Sequence, residues 1–106
     1  MTDIEESSGN PYADIGQTNA SEMQVKARLA TKIGEIIKSR RLTQLQAAEI
    51  LGLPQPKVSD MLRGKFRGIS EAKMIDCLSR LGRDVQILIK TAPRSRKEGR
   101  VEVIFA

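Results

Sequence analysis

The apolar residues of this chain follow a helical repeat over most of its length and an alternating repeat at its end. Apolar positions three or four residues apart predict amphipathic helices, because such positions share one face of a helix. Four stretches have this spacing. We expect helices beginning at Ser21, running from about Gln44 to Leu51, from Pro54 or Gln55 to about Arg63, and from Ser70 to Gly82. The pattern therefore predicts a mainly α protein.

Residues that cap helices stand at the predicted ends. Ser or Thr followed three positions later by Gln has the spacing of a capping box, in which both side chains bond free backbone N–H groups. The predicted caps are Ser21 with Gln24, Thr43 with Gln46, and Ser70. Glycines 52, 64 and 82 follow the last three helices, and glycine favours the left-handed conformation that ends many helices.

After Gly82 the apolar residues alternate with other residues, which predicts β-strands. Residues 84–90 place Val85, Ile87 and Ile89 on one face, and residues 100–106 place Val101, Val103 and Phe105 on one face. A long basic connection separates the two segments. The chain thus divides into a flexible arm (1–20), a helical domain (21–82) and a strand tail (83–106).

The stretch LTQLQAAEILGLPQPKVSDMLRGKF, residues 42–66, meets the steric requirements of a helix-turn-helix unit. Such a unit packs two short helices across a turn of three or four residues that often contains glycine. Ala48 supplies the small side chain needed where the helices cross, and Gly52 tolerates a positive φ in the turn. The core-facing positions are all apolar: Ala47, Leu51, Leu53, Val58 and Met61.

This stretch resembles the helix-turn-helix of the lambda-repressor-like (Xre/Cro) family. The shared pattern is Leu-Thr-Gln at the entry, Ala before the turn, Gly in it, Gln-Pro at the start of the second helix, then Val-Ser and Gly-Lys. The resemblance covers about residues 22–82 and implies a four-helix DNA-binding domain. Within the family, the arm NPYADIG, the exit LGRDVQILIK and the short terminal strand are similar to small antitoxins of the HigA type.

The chain departs from the larger family at two places. Many relatives have a fifth helix where this chain has predicted strands, which argues against dimerisation through a helical tail. Many relatives also have a basic residue where this chain has Asp60. The phosphate or base contact expected at that position is therefore missing.

The resemblance and the geometry of such units assign candidate DNA contacts, because the second helix of the unit lies in the major groove. Gln55 can pair with adenine, Lys57 can donate to guanine, and Pro56 can rest on a thymine methyl group. Ser59 can reach a phosphate or a base, and Gln44 is placed to hold a phosphate. The basic residues after the helix, Arg63, Lys65 and Arg67, can contact the DNA backbone.

Simpler interpretations stay open for the same residues. Gln55 and Lys57 also fit an ordinary solvated helix start, and the three bases that follow fit a solvated loop. Lys38, Arg40 and Arg41 fit a solvated face near a helix C-terminus, where the dipole favours cations.

Charge is unevenly distributed along the chain. The first 22 residues contain five acids and no Lys or Arg, whereas the rest carries all 18 Lys and Arg residues and the remaining eight of the 13 acids. A basic body is typical of proteins that bind a polyanion such as DNA, although many small basic proteins bind none.

One short helix contacts only a few base pairs, so we expect a homodimer on a palindromic operator. Pairing the terminal strands of two copies would cover their hydrophobic edges. The leading functional hypothesis is an antitoxin that represses its own operon and binds a toxin through the acidic arm, where Tyr12 could contact the partner. The alternative is a stand-alone Xre-type regulator without a toxin.

Other classes of protein are disfavoured. There is no His, no cluster of metal ligands and no phosphate-binding loop, so an enzyme, a metal site and a cofactor are not expected. Cys77 is expected to be a small core residue in an aliphatic core, since aromatic residues make up only 3% of the chain and Trp is absent. No apolar stretch approaches a membrane span and no signal peptide is evident, so a cytoplasmic location is expected.

Overall fold

A computed structural model of the chain describes residues 15–106, with side chains from Ser21 onward. Its four helices are α1 (Ile15–Ser39), α2 (Gln44–Leu51), α3 (Gln55–Leu62) and α4 (Glu71–Arg80). The predicted number of helices is confirmed for this part of the chain, and so are the positions of α2, α3 and α4. The architecture is mainly α.

Helix α1 begins earlier than the sequence predicts. Residues 15–20, which we assigned to the arm, belong to this helix, and residues 1–14 of the predicted arm lie outside the described residues. The capping box at Ser21 and Gln24 is therefore wrong. Ser21 lies inside a continuous helix, where backbone N–H groups already bond to carbonyls of the preceding turn, so no free donor remains to be capped.

The other two predicted caps form. The Oγ1 atom of Thr43 accepts a hydrogen bond from the backbone N–H of Gln46 at 3.1 Å, and the Gln46 side chain accepts one from the N–H of Thr43 at 2.9 Å. At the start of α4, the Oγ atom of Ser70 accepts from the N–H of Lys73 at 3.0 Å. These bonds satisfy backbone donors that the first helical turn would otherwise leave free.

Three helices end in the same hydrogen-bonded motif, but only two of them use glycine. After α1, Arg41 has a φ of 56°. The N–H of Arg41 donates to the carbonyl of Lys38, and that of Leu42 donates to the carbonyl of Ile37, both at 3.0 Å. The equivalent bonds after α3 and α4 are made with glycines 64 and 82 in the left-handed position. These bonds define the Schellman motif.

The core lies where α1 and α2 each pack against α3 and α4. It is almost entirely aliphatic, as predicted. Its most deeply buried side chains are Ile33, Ile36, Leu51, Val58, Met61, Met74 and Cys77. Cys77 is the small core residue that the sequence predicts, and burial raises the pKa of its thiol. Phe66 and Ile69, in the connection between α3 and α4, close the core from outside the helices.

The predicted terminal strands are not present. Between residues 83 and 106 the backbone forms no strand, although the segment is described throughout. A strand requires hydrogen bonds to a neighbouring strand, and neither predicted segment pairs with the other or with the helical domain. Ile87, Ile89 and Val101 are 77%, 90% and 73% exposed. Residues 83–106 are called the C-terminal segment below.

One part of the C-terminal segment contacts α1. Arg28 donates a hydrogen bond from Nε to the carbonyl of Val103 at 3.1 Å, and Val103 packs against the core. The cationic groups of Arg28 and Lys32 each lie 4.7 Å from the centre of the Phe105 ring. An open groove of about 490 Å³ remains between this stretch and α1.

Candidate nucleic-acid interface

Helices α2 and α3 form a helix-turn-helix around a turn of residues 52–54. Ala47 and Ala48 are buried at the contact, so the backbones approach closely. Gly52 has a φ of 67°, and its N–H donates to the carbonyl of Ala48. A Cβ atom at Gly52 would lie 3.0 Å from the Arg80 guanidinium of α4. The turn therefore favours glycine both for its backbone conformation and for the space that α4 leaves.

The start of α3 is open to solvent. Pro54 is the cap residue and makes no side-chain cap, while its carbonyl accepts from the N–H groups of Lys57 and Val58 at 2.9 and 3.2 Å. Pro56 lies in the first turn, where a missing N–H breaks no helical bond. Gln55, Pro56 and Lys57 are all exposed. The sequence-predicted contact residues therefore stand at an uncovered helix start.

The helical repeat divides α3 into an inner and an outer face. Val58 and Met61 are 0% and 1% exposed and fix the inner face. Residues three and four positions apart share one face, so Pro56, Asp60 and Arg63 form the line opposite the core. Lys57 lies on one side of that line, and Gln55 and Ser59 lie on the other.

All seven predicted contact residues lie at the surface. Ser59 is half-buried, and the other six are exposed: Gln44, Gln55, Pro56, Lys57, Arg63 and Lys65. Gln44 is the first residue of α2, and Lys65 and Arg67 follow α3. The ammonium of Lys57 lies 3.0 Å from the position that a Cβ atom would take at Gly68. Their roles as DNA contacts stay predictions.

Asp60 is held by an ion pair on the outer face of α3. Its Oδ1 atom lies 2.7 Å from Nη2 of Arg63, one helical turn further along. The two side chains are 43% and 61% exposed. From the sequence, we expected a missing DNA contact at Asp60 and an unpaired basic side chain at Arg63. In the structure the two side chains form one unit on the most outward line of the helix.

Lys26 ties the connection after α3 to α1. Its Nζ atom donates to the carbonyl of Arg67 at 3.4 Å and lies 4.0 Å from a carboxylate oxygen of Glu22. Lys26 is only 6% exposed. Helical periodicity does not predict the burial of Lys26, because that burial depends on a connection 41 residues further along the chain. The contact holds the backbone around Arg67 against the body.

The same cluster affects Glu71 at the first position of α4. Burial raises the pKa of Glu71, nearby Glu22 raises it further, and Lys26 opposes both effects. On the same helix, Asp76 behaves in the opposite way. Hydrogen bonds from Lys73 and Arg80 lower the pKa of the Asp76 carboxyl.

The open α3, its outward polar line and the tightly packed glycine turn define the helix-turn-helix class. The profile of a family described as "Helix-turn-helix domain" matches residues 11–90. One solved structure, whose name places it provisionally in the XRE family of transcriptional regulators, is 41% identical with a TM-score of 0.78. The match covers 83% of this chain and 99% of that one. The chain belongs to the Xre-type helix-turn-helix family.

A search of curated proteins returned no significant match. Among the described residues, no helix is long and apolar enough to cross a membrane.

Proposed function

We propose that this protein is a sequence-specific DNA-binding transcriptional regulator that represses from an operator. The main support for this proposal is the outward face of α3. This face is polar and accessible, and the buried side chains of Val58 and Met61 hold the helix on the core. Family membership supports the same function. The helix enters the major groove and presents Gln55, Lys57 and Ser59 to base edges, while Gln44 holds a phosphate.

Two glutamine substitutions separate base recognition from backbone contact. Gln55→Ala removes a bidentate base contact, so it costs about 1–3 kcal/mol at the cognate operator and relaxes specificity at one position. Gln44→Ala weakens binding to duplexes of every sequence by the same factor, because a phosphate contact carries no sequence information. Equilibrium binding to cognate and scrambled duplexes tests both. Unchanged operator affinity in both variants would contradict the assignment of α3.

The repressor acts as a homodimer through the C-terminal segment. Ile87, Leu88 and Ile89 are 77%, 81% and 90% exposed, and the backbone around them has no strand partner in the single chain. Pairing with the same segment of a second copy would satisfy the backbone groups and cover the apolar side chains in a two-fold interface. It would also supply the second α3 that a palindromic operator requires.

Sedimentation of the full chain tests the dimer. Replacing both Ile87 and Ile89 with Lys yields a monomer at concentrations where the wild type is a dimer. Leu45→Lys is the matched control, because Leu45 is also an exposed apolar side chain, at 61%, but lies on α2. A double variant that stays as tight a dimer as the control places the interface elsewhere. A chain ending at Gly82 provides a second check.

A second function, neutralisation of a toxin, is favoured by the charge distribution. The first 22 residues contain five acidic residues and no Lys or Arg. Their negative charge favours binding to a basic RNA-cleaving protein. Co-purification with the product of a neighbouring gene tests this function. A stand-alone regulator would bind its operator yet retain no such partner, and deletion of residues 1–14 would leave its DNA affinity and its partners unchanged.

A further inference from the structure

The outward line of α3 contains an acid where a DNA-binding surface is expected to be basic. Asp60 lies between Pro56 and Arg63 on the face opposite Val58, so it points in the same direction as the proposed contact surface. A carboxylate placed against a phosphate would be repelled. Asp60 is therefore compatible with DNA only if it meets a base edge that offers a hydrogen-bond donor.

Only two bases offer a donor in the major groove, and they differ in what lies beside it. Cytosine presents its 4-amino group, whereas adenine presents its 6-amino group next to the N7 acceptor. Guanine and thymine present acceptors on their major-groove edges, and a carboxylate can only accept. Cytosine is thus the base that a carboxylate favours, and the other three bring an acceptor close to it.

Arg63 strengthens this preference. One N–H of its guanidinium is paired with Asp60 at 2.7 Å, while its other N–H groups can still donate. In a G·C pair, the O6 and N7 acceptors of guanine lie beside the cytosine amino group in the same groove. A carboxylate and a guanidinium held side by side therefore match the donor and acceptors of a single G·C pair.

We infer that Asp60 is a specificity-determining residue that accepts a hydrogen bond from the 4-amino group of one cytosine in each half-site. The ion pair at 2.7 Å places the Arg63 guanidinium beside this carboxylate, and the remaining N–H groups of Arg63 can donate to the guanine of the same base pair. This inference rests on the proposed function, since it requires that α3 occupies the major groove. Asp60 then makes a base-selective contact at the position where the sequence predicted no contact.

Selection of binding sites from randomised duplexes by the full-length protein tests the inference. The wild type selects C·G at one position of each half-site. Asp60→Ala loses that preference by about 5- to 150-fold and leaves the other positions unchanged. Asp60→Asn moves the preference towards adenine, because an amide pairs with the N6 and N7 atoms of adenine. Arg63→Ala weakens the preference for cytosine at the same position.

Asp76→Ala is the matched control. Asp76 is 45% exposed and pairs with Nζ of Lys73 at 3.2 Å and with Nε of Arg80 at 2.8 Å. Its removal therefore changes the net charge by the same amount as Asp60→Ala and also breaks ion pairs within one helix. It lies on α4, and it should preserve the selected sequence at every position. If Asp76→Ala also lost the preference for cytosine at that position, the effect would come from net charge alone and the inference would be overturned.

A probe that removes one amino group gives a second result. Replacing the selected cytosine with 2-pyrimidinone removes only its 4-amino group. The wild type should lose more affinity on this replacement than Asp60→Ala does, because only the wild type has a carboxylate that accepts from this group. Equal losses for the two proteins, or an unchanged sequence preference in Asp60→Ala, overturn the inference while leaving the regulator intact. A wild type that selects no sequence at all overturns the proposed function as well.

Discussion

The helical domain and the C-terminal segment both carry regular hydrophobic patterns, but the helical domain buries most of its apolar residues within one chain, whereas the C-terminal segment leaves most of its own exposed. Leu51 and Met61 are 0% and 1% exposed, whereas Ile87 and Ile89 are 77% and 90% exposed. The difference follows from hydrogen bonding. A helix satisfies its backbone within the segment, so it can then pack by its side chains. A strand requires a partner strand before its pattern can have any effect.

The largest expected effect contrasts a core leucine with an isoleucine of the C-terminal segment. Leu51→Ala leaves a cavity between α2 and its neighbours and should reduce the free energy of unfolding by about 2–5 kcal/mol. Ile89→Ala should change it by less than about 0.5 kcal/mol in the monomer. Urea unfolding at low protein concentration measures both. Comparable losses in the two variants would show that the segment packs within the chain.

Two glycines give the next contrast. Gly52→Ala places a Cβ at a positive φ and 3.0 Å from the Arg80 guanidinium, so it should destabilise by about 1–2 kcal/mol. Gly99 lies in the C-terminal segment, where a Cβ would have nothing within 4 Å. Gly99→Ala should therefore be neutral or slightly stabilising. Thermal unfolding compares the pair, and a neutral Gly52→Ala would argue against the tight turn.

Phe105 tests a place where the C-terminal segment contacts the helical domain. Each cation–π contact of this ring at the surface contributes about 0.5–1 kcal/mol. Phe105→Ala should release residues 101–106 from α1, and the Nε–H resonance of Arg28 should lose both its ring-current shift and its protection from exchange. Ile104→Ala is the control, because Ile104 is 79% exposed. The same Arg28 resonance in both variants would rule out this anchoring.

The smallest expected effect is the pH dependence within the helical domain. The raised pKa of Glu71 means that the folded state holds its proton to higher pH than the unfolded state. Its contribution to stability is therefore greatest in acid and declines as pH rises through the folded pKa. Glu71→Gln should gain stability relative to the wild type over that range.

Asp76 provides the opposite sign. Its lowered pKa means that its contribution is present above the unfolded pKa and is lost as pH falls through the folded pKa. Asp76→Asn should therefore be less stable than the wild type at neutral pH, with the difference shrinking in acid. Thermal unfolding across the acidic range checks both variants, and slopes of equal sign would contradict the pair of assignments.

The sequence predicts the helical domain well because its signals are local. The capping box at Thr43, the glycine at 52 and the buried positions Val58 and Met61 each depend on a few neighbouring residues. The start of α1 was wrong for the same reason, since the Ser21 pattern is compatible with a cap but does not require one. A local pattern is compatible with more than one local structure, and the flanking residues determine which of these structures forms.

Long-range contacts account for what the sequence could not predict. Burial of Lys26 depends on a carbonyl 41 residues away, and Phe66 and Ile69 close the core from a connection without periodicity. The predicted strands failed because alternation does not supply a partner. At the candidate interface, all seven residues that the resemblance and the geometry of the unit had assigned lie at the surface, but the pairing of Asp60 with Arg63 was not foreseen.

We propose that the C-terminal segments of two copies hold two α3 helices one helical turn of DNA apart. Hydroxyl-radical footprinting on the selected operator tests it most directly. The wild type should protect two patches whose centres lie about 34 Å apart. The variant with Lys at both 87 and 89 should require far higher concentrations and protect each half independently. A single protected patch for the wild type, or an identical footprint for the variant, would rule out a dimer of this geometry.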